Sequence, residues 1–148
     1  MANYLIHRSG ISSAGAYQVS GVPFISGSGQ AIAANSGTPH RVSFPYVTKW
    51  ITVENTGGED LRVAFSSLGA KGTAEPGGTA EVNYFVVRAS GSAQNSRLTM
   101  DVRVKDIYLL SNHGSNTTSA QIVAGLTFVS TEELTGTADN WSGSSGVG

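Results

Sequence analysis

Metal binding or general-base catalysis in this chain would have to start from one of three histidines, His7, His40 and His113. None has a second histidine at the His-x-His or Glu-x-x-His spacing that brings two ligands onto one ion. A cupin-type site, with two closely spaced histidines, a glutamate a few residues on and a later histidine, is not formed by His40 and His113. Each histidine therefore reads as a surface or hydrogen-bonding residue. The chain has no cysteine, which removes thiolate zinc sites and thiol nucleophiles. The carboxylate pairs Glu59-Asp60 and Glu132-Glu133 are adjacent in sequence, and neighbours on a strand or turn point apart rather than across a glycosidic bond. Serines in Gly27-Ser28-Gly29 and Gly143-Ser144-Ser145-Gly146 lack the strand-to-helix elbow that would expose a nucleophile. The run Gly27-Ser28-Gly29-Gln30-Ala31-Ile32 lacks the last glycine and the helix of a dinucleotide loop. No catalytic, cofactor or metal site is expected, and the chain does not read as an enzyme.

Residues without site chemistry must then act through the surface they build. At 148 residues the chain has the size of one domain, enough to bury a core without metal or disulfide. Formal net charge is -1 and only 13% of residues are charged, so no basic arm exists to displace counterions from phosphates, and nucleic acid is not an expected partner. A surface of Ser, Thr, Asn and Gly is also less protected against self-association than a highly charged one. The N-terminus, Met1 to Arg8, has no basic region leading into an apolar run, and no span reaches about 18 apolar residues. A soluble chain without direct membrane insertion is the expectation.

The elements read as short strands between turn clusters, with almost no helix. Leu61, Val63 and Phe65 share one face of a strand, as do Ile51 and Val53 of Lys49 to Glu54. Asn55 to Asp60, rich in glycine and Asn/Asp, predicts a hairpin turn between them. Leu98, Met100, Val102 and Val104 alternate with polar residues until Asp106 falls where an apolar residue is due. Ile107 and Leu109 then continue in the new phase, which predicts a bulge or bend near Lys105-Asp106 that carries the chain from one sheet to another. Further strands are expected over Ala16 to Ile25, broken at Pro23; His40 to Val47, carrying Pro45; Val82 to Val87; and Ala120 to Val129. Expected core positions include Ile51, Val53, Leu61, Val63, Phe65, Tyr84, Val102, Leu126 and Phe128. About eight antiparallel strands in one all-β domain predict a sandwich or barrel, and eight is the number of a single jelly roll.

Gly27 to Thr38 and Ala89 to Ser96 read as polar loops, and residues 136–148 as a Gly/Ser-rich tail around Trp141. Trp50, in a strand, reads as packed or half-packed. Trp141 has no local apolar pattern to support it, so it either docks on its own domain or anchors to a neighbour. Asn116-Thr117-Thr118 and Asn140-Trp141-Ser142 match the glycosylation triplet, yet such triplets arise by chance in an Asn/Ser/Thr-rich chain.

In order and spacing, five segments from about residue 44 onward form a pattern: Leu61-Arg-Val-Ala-Phe-Ser66, Asn83-Tyr-Phe-Val-Val87, Val102-Arg-Val-Lys-Asp-Ile-Tyr-Leu109, Ile122-Val-Ala-Gly-Leu-Thr127 and Asn140-Trp-Ser-Gly-Ser-Ser-Gly-Val-Gly148. Taken together they resemble the penton proteins of large icosahedral DNA viruses. The resemblance implies a small single jelly roll, assembled as homopentamers that plug the fivefold vertices of a capsid, and the length of the chain assigns residues 1–148 to that one domain. It places the protein in the virion, assembled in the host cell, beside major and minor capsid proteins and outside an internal membrane. No catalytic residue is implied. Asn140 and Trp141, in the most distinctive segment, are the candidate subunit-interface residues. The rival reading is a carbohydrate-binding, spike or decoration jelly-roll module, in which Trp141 or tyrosines would stack on sugar rings in a concave site.

Overall fold

The computed structural model describes residues 10–12, 14–18, 21–27, 31–72, 82–134 and 140. Eight strands alternate with three short helical turns: α1 (Ala14–Gln18), β1 (Val22–Ser26), β2 (His40–Ser43), β3 (Thr48–Asn55), β4 (Leu61–Ala64), α2 (Ser67–Lys71), β5 (Phe85–Val87), β6 (Arg97–Met100), β7 (Asp106–Ser111), β8 (Ala120–Leu126) and a 3-10 turn (Thr131–Glu133). All ladders are antiparallel. They make two four-stranded sheets, ordered β1-β8-β3-β6 and β2-β7-β4-β5. The chain is an all-β sandwich, as its alternation predicts.

The core follows from that alternation. Ile51, Val53, Ile122, Ala124 and Leu126 of the first sheet meet Val42, Leu61, Val63, Ile107 and Leu109 of the second in one buried cluster. Phe24 and Phe44 close one edge of it edge-to-face, with ring centroids 5.0 Å apart. Strand β7 is buried along its whole length because its other face is covered as well. There α2 lies over β4 and β7, and Ala64, Ala70, Tyr108 and Leu110 form a second cluster. Ser66 caps α2 by accepting from the Gly69 N–H, and Gly72, at φ 66°, ends it in the left-handed conformation.

The expected break in the long alternating segment is present. β6 belongs to the first sheet and β7 to the second, with residues 101–105 crossing between them. The expected hairpin over Asn55 to Asp60 is not. β3 and β4 lie in different sheets, and the turn is an arch over the end of the sandwich. Asn55, buried, holds the arch: its Nδ2 donates to the Glu59 and Val87 carbonyls while its Oδ1 accepts from the Gly57 N–H and the Thr118 hydroxyl. Both flanking strands are apolar on one face, so their pattern fits an arch as well as a hairpin.

Three further expectations need correction. The strand expected from Ala16 begins only at Val22, since Ala14–Gln18 is helical. Pro23 stands inside β1, which tolerates it as an edge strand. Phe128, expected in the core, is 69% exposed, because β8 ends at Leu126 and Thr127 then turns inward to donate to the Val47 carbonyl. Finally, Ile32, within a stretch read as polar loop, is buried and bridges to Thr118.

Candidate subunit interface

Asn140, one of the two residues singled out for a subunit contact, is 0% exposed. Its Oδ1 accepts from the backbone N–H groups of Lys105 and Asp106, at 2.9 and 3.0 Å. Its Nδ2 donates to the carbonyls of Phe65 and Asp106, at 2.7 and 3.1 Å. An asparagine amide carries both the acceptor and the two donors this cluster demands. Every polar atom of the side chain is thus used within its own domain. Buried and hydrogen-bonded in this fold, the Asn140 side chain offers no free amide for glycosylation. Trp141 and residues 142–148 lie outside the described residues.

Beside Asn140, Asp106 explains the break in phase seen in the sequence. Its carboxylate, 2% exposed, takes both Nε and Nη2 of Arg41, at 2.9 and 2.8 Å, while the Arg41 side chain stays 53% exposed. The edge of the second sheet thus buries the acid and leaves the base at the surface. At the same end, Thr48 links Val102 and Val104, and Val47 pairs with Val129. This frame presents Tyr46 and Phe128 outward as an edge-to-face pair with centroids 5.7 Å apart.

The two long sides of the sandwich are unlike. Between edge strands β1 and β2 a groove of about 340 Å3 opens into the core, walled by Phe24, Ile32, Val42 and Ile122 and rimmed by Ser26, His40, Arg41 and Ser43. On the opposite side lie edge strands β5 and β6, where Phe85 of β5 is 58% exposed and Leu98 and Met100 of β6 are half-buried against the core. Arg62 is held by Asn112 and the carbonyls of Ala70 and Lys71, and stacks over the Tyr84 ring.

The residues weighed for catalysis are dispersed. The His113 Nδ1 accepts from the Ser115 and Asn116 N–H groups, which places a neutral ring's proton on Nε2. Asp60 is engaged by Arg88 and the Ala89 N–H, Glu59 by Asn116, and Glu133 by the Ile11 N–H. His40 stands at the groove rim, and His7 lies outside the described residues. Among the described residues no three His, Asp or Glu side chains gather where they could hold a metal, and no helix is long and apolar enough to cross a membrane.

No protein-family model, curated protein or solved structure matches the chain. Sequence reasoning passed over three features of the surface: the groove, exposed Phe85 and the Tyr46–Phe128 pair. Only the out-of-phase Asp106 carried a signal of its own, a charge at a position due to be buried and hence one that needs a partner.

Proposed function

We propose that this chain is a structural subunit of a viral shell, a jelly roll that forms homopentamers at the fivefold vertices of an icosahedral capsid beside major and minor capsid proteins. The observation that carries the reading is the winding of the chain. β1 pairs with β8, β2 with β7, β3 with β6 and β4 with β5, a nested pairing of the two halves of the chain that supports the jelly-roll reading. Such a roll leaves four edge strands, two on each long side, and here the two sides differ. A fivefold ring needs that asymmetry, because each copy must meet its neighbours through two different patches. The sparse charge of the chain, 13% of residues, lowers the desolvation cost of bringing those patches together. The resemblance of five ordered segments to penton proteins points the same way.

A second reading, a sugar-binding module, draws on the exposed Tyr46–Phe128 pair. The concave groove, however, is lined by neither ring and its one aromatic wall, Phe24, is locked against Phe44. A stacking platform and a concave pocket are therefore separate, which favours the first reading. Immunogold labelling with an antibody to this chain tests the two. Label on the corners of icosahedral particles in cells that express the protein is expected. Label that never coincides with particles, together with binding on a glycan array that Tyr46→Ala or Phe128→Ala abolishes, would replace the shell reading with the module.

A further inference from the structure

The turn that follows β7 is built on a histidine ring. The His113 Nδ1 accepts from the N–H groups of Ser115 and Asn116, at 3.2 and 3.0 Å, and the Ser111 Oγ accepts from the His113 N–H. Nδ1 can accept only while it carries no proton. Neighbouring segments are fastened to this turn. The His113 carbonyl accepts from the Asn35 N–H and the Gly114 carbonyl from the Ser36 hydroxyl, while the Asn112 N–H donates to the Asp60 carbonyl and the Asn116 Nδ2 to the Glu59 Oε1. Loops 31–38 and 55–60 thus both lean on residues 112–116.

The charges near the ring favour its cation. Glu59 and Asp60 of the arch line one cavity of about 300 Å3 together with Asn112 and His113. Asp60 is paired with Arg88, and Arg62 of β4 holds the Asn112 amide oxygen. Glu59 is held by the uncharged Asn116 amide. Loops 31–38, 89–96 and 112–119 carry no titratable side chain besides His113. We propose that the His113 turn is an acid-operated latch, closed around the neutral ring and opened when the protonated ring swings from the Ser115 and Asn116 amides toward the Glu59 carboxylate. In the closed turn a proton on Nδ1 would stand against two N–H donors, so closure excludes the cation. In the open turn the cation keeps its water and gains a carboxylate. Protons therefore bind the open form preferentially. The latch is shut above the range in which histidine ordinarily titrates and is lost as pH falls through it. It operates whether or not the chain builds a shell.

Water-exchange NMR of individual amides in the full-length chain tests the latch, with each rate divided by that of an unstructured chain at the same pH. The comparison runs from about pH 7.5 to about pH 5.5, across the histidine range and above that of carboxylates. Protection at Ser115 and Asn116 should fall about fivefold or more, the scale of two lost hydrogen bonds. Asn35 should loosen with them, while Ile51 and Val53 of β3 stay as they were. His113→Asn supplies a side-chain oxygen that accepts from the same amides without titrating, and it should hold the turn closed at both pH values. Glu59→Gln keeps an acceptor for Asn116 but removes the charge, and it should lessen the opening. Equal protection at the two pH values, or an equal fall in His113→Asn, would overturn the latch. So would a loss that spreads to Ile51 and Val53, which is acid unfolding of the whole domain. Undiminished opening in Glu59→Gln would overturn the swing toward that carboxylate.

Discussion

Replacing Asn140 by alanine should destabilise the isolated domain, a result that sequence position alone would not suggest for a residue at the head of a Gly/Ser tail. The side chain makes four hydrogen bonds, two as acceptor from Lys105 and Asp106 and two as donor to Phe65 and Asp106, and it is fully buried. At a net ~1 kcal/mol each, the bonds sum to about 4 kcal/mol, and a water entering the vacated space would restore part of that. The expected loss is therefore about 2–4 kcal/mol. In urea, with a slope of roughly 1–3 kcal/mol/M for a domain of this size, the midpoint should fall by about 1–2 M with the slope unchanged. Asn140→Asp is expected to cost no less. It keeps an acceptor but sets a second oxygen against the Phe65 and Asp106 carbonyls in place of the donor. A loss below about 0.5 kcal/mol for Asn140→Ala, accompanied by failure to assemble, would refute the reasoning and return Asn140 to the subunit interface.

Other outcomes follow from packing. Trp50 lies across the sheet from Gly125, where an added Cβ would run into the indole; Gly125→Ala should cost about 1–3 kcal/mol and shift tryptophan emission to the red. Unchanged emission would mean the indole sits elsewhere. Phe128→Ser should change stability by no more than about 0.5 kcal/mol, whereas Ile51→Ala, at a fully buried position, should cost about 2–5 kcal/mol. Equal losses in the two urea titrations would show that Phe128 is core after all. Dialysis against a chelator is expected to leave the melting temperature unchanged, and a stoichiometric metal lost on His40→Ala or His113→Ala would contradict the reading of those histidines.

What the sequence made legible was whatever a period of two can carry. Ile51, Val53, Leu61, Val63 and Leu126 alternate and are buried, and the phase slip at Asp106 announced the crossing between sheets. Which sheet a strand joins is not written in its alternation, so Asn55 to Asp60 fits a hairpin and an arch equally well. Phe128 continues the alternation of β8 past the last ladder residue, where Thr127 prefers a backbone carbonyl to a pleat. Asn140 was noticed as part of an ending that resembles a family, but its role rests on four backbone atoms brought together from residues 65, 105 and 106, contacts that no local pattern encodes. The groove and the exposure of Phe85 were invisible for a related reason. Phe85 aligns with the buried Val63, and a core phenylalanine and an exposed one look alike in sequence until the edge strands are known.

The central claim is that five copies of this chain close each vertex of a shell. Electron cryomicroscopy of purified particles tests it most directly, by fitting the sandwich into density at the fivefold axes. Five copies in a ring, each meeting its neighbours through two unlike sides, is the predicted result. Density there that this sandwich does not fit, or particles that lack the chain, would contradict the account.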